Sequence, residues 1–355
     1  MDEPRGSPSL SQNMSPSPKA ARVVGLDSLR VVAALWVVFS HIGGFPLVAG
    51  ADRGEPIGLL VQGIYGNLFA GPAAVMVFFV ISGFCIHFPQ VRSGSFEPLP
   101  YFARRYLRIG IPLVVAIYLA RPLAVNLQLF QNSILWTLVA ELIYYTLYPL
   151  LRRLKELVGW HYLIGISFIA AIATVLRHPD ALDYTPFGNS LNWIIGLPTW
   201  LLGCQLAENI SAGTPPPISF NRIWCWRFGI WFFASVASVL RFHSPVGYPW
   251  TRLAFSLLVY FWLQREIAFF RIERPPRALE WAGQWSYSIY LIHLVAATAY
   301  VHLVTPDLGV NLNWLMKFAW ILAGCFAFFL FVENPAHWLA RRISRRLRRP
   351  KLVAP

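Results

Sequence analysis

Four ionisable side chains, Arg30, His41, Glu141 and His293, stand inside long apolar runs of the sequence. On insertion scales a charge at mid-bilayer costs about 2.5–3.5 kcal/mol, so such groups face a protein interior or a water-filled cavity. They are where chemistry is expected. Arg30 and His41 are separated by ten residues. At about 100° per residue both project from one helix face, about 16 Å apart along it, and one such face can serve one elongated ligand. Arg30 offers a cation to an anionic cofactor near one end. His41 lies deeper, at about the depth of Glu141, so an imidazole and a carboxylate are expected to meet in one cavity.

The plainer reading of His41 is interhelical glue, a hydrogen bond to a neighbouring helix, with Glu141 paired to an arginine for stability. His293 closes the segment SYSIYLIH, where Ser286, Tyr287, Tyr290 and His293 recur every three or four residues. That face suits a polar helix–helix seam as well as a site. Arg105 and Arg108, in RRYLRIGIP, stand one turn apart and can grip a phosphate by forked hydrogen bonds. The tendency of cations to flank membrane spans on the cytoplasmic side would place them there too. Glu333, in VENPA, is a partner for this arginine cluster or an interfacial charge. His302 and Asp307 form an H-x4-D pair, but Pro306 lies within it at the end of a span, and it is set aside as chance.

The elements that must position these groups are set by composition. The 355 residues are 56% hydrophobic and 13% charged, with a mean hydropathy of +0.51, where a soluble domain is about 25% charged. This excludes a soluble enzyme. The net charge of +14 would suit nucleic acid, but the basic residues are parcelled between apolar runs, so the expected partner is membrane lipid and no nucleic acid. An all-α polytopic protein is expected, with about ten transmembrane helices near 27–49, 68–88, 109–126, 133–151, 162–176, 190–206, 228–240, 250–264, 285–304 and 314–333. Cations alternate with this pattern. Arg104, Arg105 and Arg108, then Arg152, Arg153 and Lys155, and the run from Arg341 to Lys351 fall on one side, which places both termini in the cytoplasm. No internal repeat of the kind found in transporters is visible.

Three regions are expected: a Ser/Pro-rich disordered tail over 1–24, a transmembrane domain over 25–335 and a basic cytoplasmic tail over 336–355 that anchors the last span and attracts anionic lipid. The tail at 1–24 lacks the basic and apolar regions of a signal peptide, so the first apolar run is expected to be retained. Cys85, Cys204, Cys225 and Cys325 show no CxxC pairing; neither disulfides nor a metal site are expected.

Six segments, in order, resemble the acyltransferase type 3 family of membrane enzymes. They are GLDSLRVVAALWVVFSHIGGF with Arg30 and His41, MVFFVISGFCI at 76–86, RRYLRIGIP with Arg105 and Arg108, SILWTLVAELIYYTLYPLL around Glu141, QWSYSIYLIH at 284–293, and VENPA at 332–336. The resemblance spans about residues 25–335. Many members carry an aspartate two residues before the Phe pair, where this chain has Met76, and many continue into a hydrolase-like domain, where this chain has a basic tail. It is similar to the stand-alone membrane form.

The resemblance implies transfer of an acyl group, most commonly acetyl, from cytoplasmic acyl-coenzyme A to a hydroxyl of a saccharide or glycolipid, in a bacterial inner membrane. Acetyl-coenzyme A would be the co-substrate. On that reading Arg105 and Arg108 neutralise its phosphates, the pantetheine arm runs past Arg30, and His41 acts as general base with Glu141 orienting or stabilising it. Ser82, Tyr287, Tyr290, His293 and Glu333 are supporting residues. A covalent acyl-enzyme on Ser82 or His41 is a variant. Two other classes stay open: a transporter or flippase for polysaccharide or glycolipid, whose path the same charges would line, and a lipid O-acyltransferase built on His293.

Overall fold

The computed structural model describes residues 23–348 except 49, 51–53, 94–95, 129–132, 214 and 305–308. The tail expected over 1–24 lies outside the described residues but for Val23 and Val24, and so does Asp307.

Twelve α-helices carry the chain, and no strand occurs among the described residues. They are α1 (Leu26–Ile42), α2 (Pro56–Gly66), α3 (Gly71–Ser93), α4 (Pro98–Ala120), α5 (Trp136–Leu176), α6 (Gly188–Ala212), α7 (Phe220–His243), α8 (Tyr248–Phe269), α9 (Arg277–Ala282), α10 (Ser286–Leu303), α11 (Val310–Phe328) and α12 (Asn334–Arg346). Six helical stretches, Pro56–Val91, Pro98–Leu123, Trp136–Leu176, Phe220–His243, Arg277–Leu303 and Val310–Arg346, are long and apolar enough to cross a membrane. This is the fold of an integral membrane protein.

All ten expected apolar runs fall on helices, but the match to separate spans is incomplete. The runs at 133–151 and 162–176 share α5, which breaks at Gly159, where φ is +80° and ψ is 160°. Glycine has no Cβ to oppose that left-handed conformation, so the helix reverses there without a loop. Three of the runs lie outside the six stretches. Helix α1 has 17 residues, short for a span. Helix α6 carries Asn192, Gln205, Glu208 and Asn209, and α8 carries Arg252, Gln264, Arg265 and Glu266, which lower their hydropathy.

Contacts between helix ends show that the chain shuttles between a basic end and an opposite end. At the basic end, Gly283 abuts the Asp27 backbone, Lys155 pairs with Glu208 at 2.6 Å, and Ser344 Oγ donates to the Pro100 carbonyl at 3.0 Å. At the opposite end, Gly71 abuts Ser40, the Trp314 indole donates to the Gly43 carbonyl at 3.2 Å, and the Tyr248 amide donates to the Leu182 carbonyl at 2.9 Å.

Small residues and prolines set how closely these helices pack. A Cβ on Gly83 would lie 2.0 Å from the Trp200 carbonyl oxygen, and one on Gly203 would lie 2.1 Å from that of Val80. The two glycines face each other's helices and let the α3 and α6 backbones touch, as small residues do at membrane helix interfaces. Helix-internal prolines release carbonyls for use elsewhere. Pro149 lacks the N–H that would bond the Tyr145 carbonyl, which instead accepts from the Tyr101 hydroxyl at 3.2 Å. Pro89 does the same for the Cys85 carbonyl, which Arg105 Nη2 takes at 3.4 Å. Such substitutes are what allow proline inside membrane helices.

The last segment is more ordered than a tail. Helix α12 buries Ala336, Ala340 and Ser344 along one face and packs on α4. It follows a π-helical turn at Phe329–Glu333 that carries Glu333 inward, 0% exposed.

Candidate active site

A cavity of about 1050 Å³ opens among α1, α3, α4, α5, α10 and α12 at the basic end. Arg30, Arg104, Arg105, Arg108, Arg341 and Arg348 line it, against Asp27, Glu97, Glu141 and Glu333, so the wall is net cationic. Arg30 comes from the start of α1, Arg104, Arg105 and Arg108 from α4, Arg341 from α12 and Arg348 from just past its end. A cationic pocket with apolar walls focuses field lines and draws in anions.

The structure brings most of the sequence-predicted residues to this cavity. Arg30, Ser82, Arg105, Arg108, Glu141, Tyr287, Tyr290 and Glu333 all line it. Arg30 Nη1 donates to Asp27 at 3.0 Å and its Nη2 to Cys85 Sγ at 3.1 Å. Arg105 lies over the Tyr145 ring at 5.7 Å. Arg108 Nε donates to His337 Nε2 at 2.8 Å. His337 in turn stands 3.4 Å from Glu333 Oε1. The other Glu333 oxygen accepts from the Ser288 amide at 3.1 Å and from the Ser288 hydroxyl, while Oε1 has no hydrogen-bond partner. Glu333 thus lies beside the arginine cluster, with the His337 ring that Arg108 bonds next to it. His337, Arg104, Arg341 and Arg348 were not singled out from the sequence. For His337 a signal existed, since it follows Glu333 by one helical turn.

Midway along the cavity, Ser82 Oγ donates to Glu141 Oε1 at 2.5 Å and accepts from the Trp200 indole at 3.3 Å. The Tyr145 hydroxyl donates to the same Glu141 oxygen. The expected meeting of Glu141 with His41 does not occur. Matching depth along two helices says nothing about direction around them, and α1 packs on α3, α9 and α10 while α5 packs mainly on α6.

His41 meets His293 instead. His41 Nδ1 and His293 Nε2 are 3.0 Å apart, with 5.0 Å between ring centroids and 28° between planes, so the rings meet edge to edge. His293 is fully buried at 0%, whereas His41, next to the α1 C-terminus, is exposed. Neither ring lines the cavity. Gln284, just before α10, and Tyr287 and Tyr290 within it line the cavity, and His293, the next residue on the face of the two tyrosines, does not. The closing layer is made by Phe78 and Tyr290, whose rings meet edge to face at 5.8 Å, and by Thr137, hydrogen-bonded to the Tyr290 hydroxyl. That hydroxyl also donates to the Ile134 carbonyl at 2.9 Å. The tyrosines of the SYSIYLIH segment therefore form both a seam and a wall, since Tyr287 donates to the Ile109 carbonyl of α4 at 3.1 Å.

A cationic chamber with apolar walls at one end of the bundle, and a His41–His293 pair outside its lining, are the two clusters the helices build from these residues. A family model for an acyltransferase domain, that of the type 3 acyltransferases, matches residues 23–332, nearly the whole chain. The chain belongs to this family of membrane acyltransferases. Neither the curated proteins nor the solved structures contain a significant match to it.

Proposed function

We propose that this protein moves an acyl group, most commonly acetyl, from acyl-coenzyme A to a hydroxyl of a saccharide or glycolipid. The observation that carries this reading is the arginine-lined cavity at the basic end, whose lining includes Tyr290, one helical turn before the buried His293 that contacts His41. The tripartite charge of coenzyme A suits Arg105, Arg108 and their neighbours, because guanidinium forks pair well with phosphate. Ten crossings with the basic end in the cytoplasm of a bacterial inner membrane fit the alternation of helix directions and the placement of arginines.

In the direct mechanism the acceptor hydroxyl attacks the thioester carbonyl. His41 takes the hydroxyl proton, the C–S bond breaks and coenzyme A leaves as the thiol once it is reprotonated. The thioester end reaches His41 when the Tyr290 hydroxyl releases Thr137 and Ile134. Glu141, hydrogen-bonded to Ser82 and Tyr145, serves the chamber and not the imidazole.

A second reading is favoured by one contact, the Ser82–Glu141 hydrogen bond inside the chamber. There Ser82 Oγ attacks the thioester carbonyl as Glu141 takes its proton, the C–S bond breaks, coenzyme A leaves as the thiol on receiving that proton from Glu141, and a serine ester carries the acyl group onward. The purified protein in lipid nanodiscs, given labelled acetyl-coenzyme A, separates these readings. Transfer to a glycan acceptor, lost in His41→Ala and Arg108→Ala, supports the direct route. Label retained on denatured protein without acceptor, and lost in Ser82→Ala, supports the serine ester. No transfer, with intact glycolipid moved across a vesicle membrane, would replace both with a flippase.

A further inference from the structure

We infer that His293 is a positioning residue that fixes the proton of His41 on Nδ1 and leaves His41 Nε2 bare to act as the base. The inference rests on the role proposed above for His41.

His293 Nδ1 faces two carbonyl oxygens of its own helix, those of Ile289 at 3.0 Å and Tyr290 at 2.9 Å. Carbonyls only accept, so Nδ1 carries a proton. The third partner of the ring is the His41 imidazole, and none of the three is an acid. A cation sealed at 0% exposure without a counter-charge is strongly disfavoured. His293 is therefore neutral, and its Nε2 holds a lone pair. His41 Nδ1, 3.0 Å away, must then be the donor across that contact.

The two rings thus share one proton between facing nitrogens, and His293 accepts it. A neutral imidazole in water favours the proton on Nε2, which would leave no base on that nitrogen. The His293 acceptor, together with the backbone hydrogen bond of His41 to Val37, reverses the preference and holds the His41 ring in place. In Ser-His-Asp enzymes a buried carboxylate performs this task. Here a neutral imidazole, itself pinned by backbone carbonyls, takes its place, which spares the bundle a buried negative charge. When His41 gains a proton, the Nδ1–H bond to His293 remains and supports the cation.

The full-length protein in nanodiscs tests this by nitrogen-15 NMR of labelled histidine and by steady-state transfer kinetics. The expected wild-type spectrum has His41 protonated on Nδ1 and bare on Nε2. In His293→Leu the proton moves to Nε2, and kcat falls by about 100-fold or more while the KM for the acyl donor stays within about threefold. His293→Gln, whose side-chain oxygen accepts from His41 Nδ1–H, recovers most of the lost kcat. A wild-type His41 protonated on Nε2 overturns the inference regardless of how any variant folds. So does an unchanged kcat in His293→Leu, or a Gln variant as slow as the Leu variant with equal thermal stability. Wild-type protein without any acyl transfer would instead sink the proposed function, while the spectrum would still decide the hydrogen bond.

Discussion

Pro89 and Arg105 act on the same atom, the carbonyl oxygen of Cys85. The proline withholds the helical N–H that this oxygen would accept, and the guanidinium supplies a replacement at 3.4 Å from another helix. A break in α3 is thereby converted into an anchor for a cavity cation. Pro89→Ala restores the competing N–H. It is expected to leave the fold intact and to weaken coenzyme A binding about fivefold, near 1 kcal/mol, by calorimetric titration.

Arg108 is held by His337, and both line the chamber. Charge-assisted bonds to phosphate are worth about 1.5–3 kcal/mol. Arg108→Ala is therefore expected to raise the KM for acyl-coenzyme A about 10- to 100-fold. Arg108→Lys recovers only part of this, since an ammonium lacks the planar fork. Raising the salt should weaken donor binding to the wild type more than to the Ala variant, because the removed term is electrostatic.

How much of this arrangement could be read in advance differs from residue to residue. Arg30 and Glu141 were visible because an ionisable group in an apolar run has few places to go, and Arg105 and Arg108 because they stand one turn apart at the start of a span. Their convergence on one chamber follows from helix direction, which charge alternation also encodes. The pairing of His41 with His293 in preference to Glu141 was hidden, since rotation of one helix against another depends on packing. The touching backbones at Gly83 and Gly203 decide such rotations, and no periodicity announces which glycines do so. Helix α2 has 11 residues, below span length, and was not expected; a turn between the runs at 133–151 and 162–176 was expected, but not that a single glycine, Gly159, would make it.

The α3–α6 contact gives a direct test. In Gly83→Ala the new methyl would stand 2.0 Å from the Trp200 carbonyl oxygen, an atom of rigid backbone. Overpacking of this kind costs about 1–3 kcal/mol. The variant is expected to melt several degrees lower in detergent than wild type, whereas Gly165→Ala, with open space around it, should melt at the wild-type temperature or above.

Glu266 is fully buried at 0% and receives both Arg227 Nε and Nη2, at 2.7 and 2.9 Å, together with the Trp262 indole at 2.9 Å. Removing one partner of a buried pair costs about 3–5 kcal/mol because the other charge is left alone. Glu266→Leu should therefore lower thermal stability sharply. The double variant Arg227→Met with Glu266→Leu should recover much of the loss, and a thermal melt of the three proteins checks the ordering.

The layer of Phe78, Thr137 and Tyr290 has a chemical consequence for any activated ester held beneath it. Thioesters are spent uselessly when water reaches their carbonyl, and the imidazole most able to speed that loss stands beyond the layer. On the proposed function, these three lining residues would hold a bound thioester away from the imidazole until the acceptor arrives, so idle hydrolysis would be limited by architecture and not by slow chemistry.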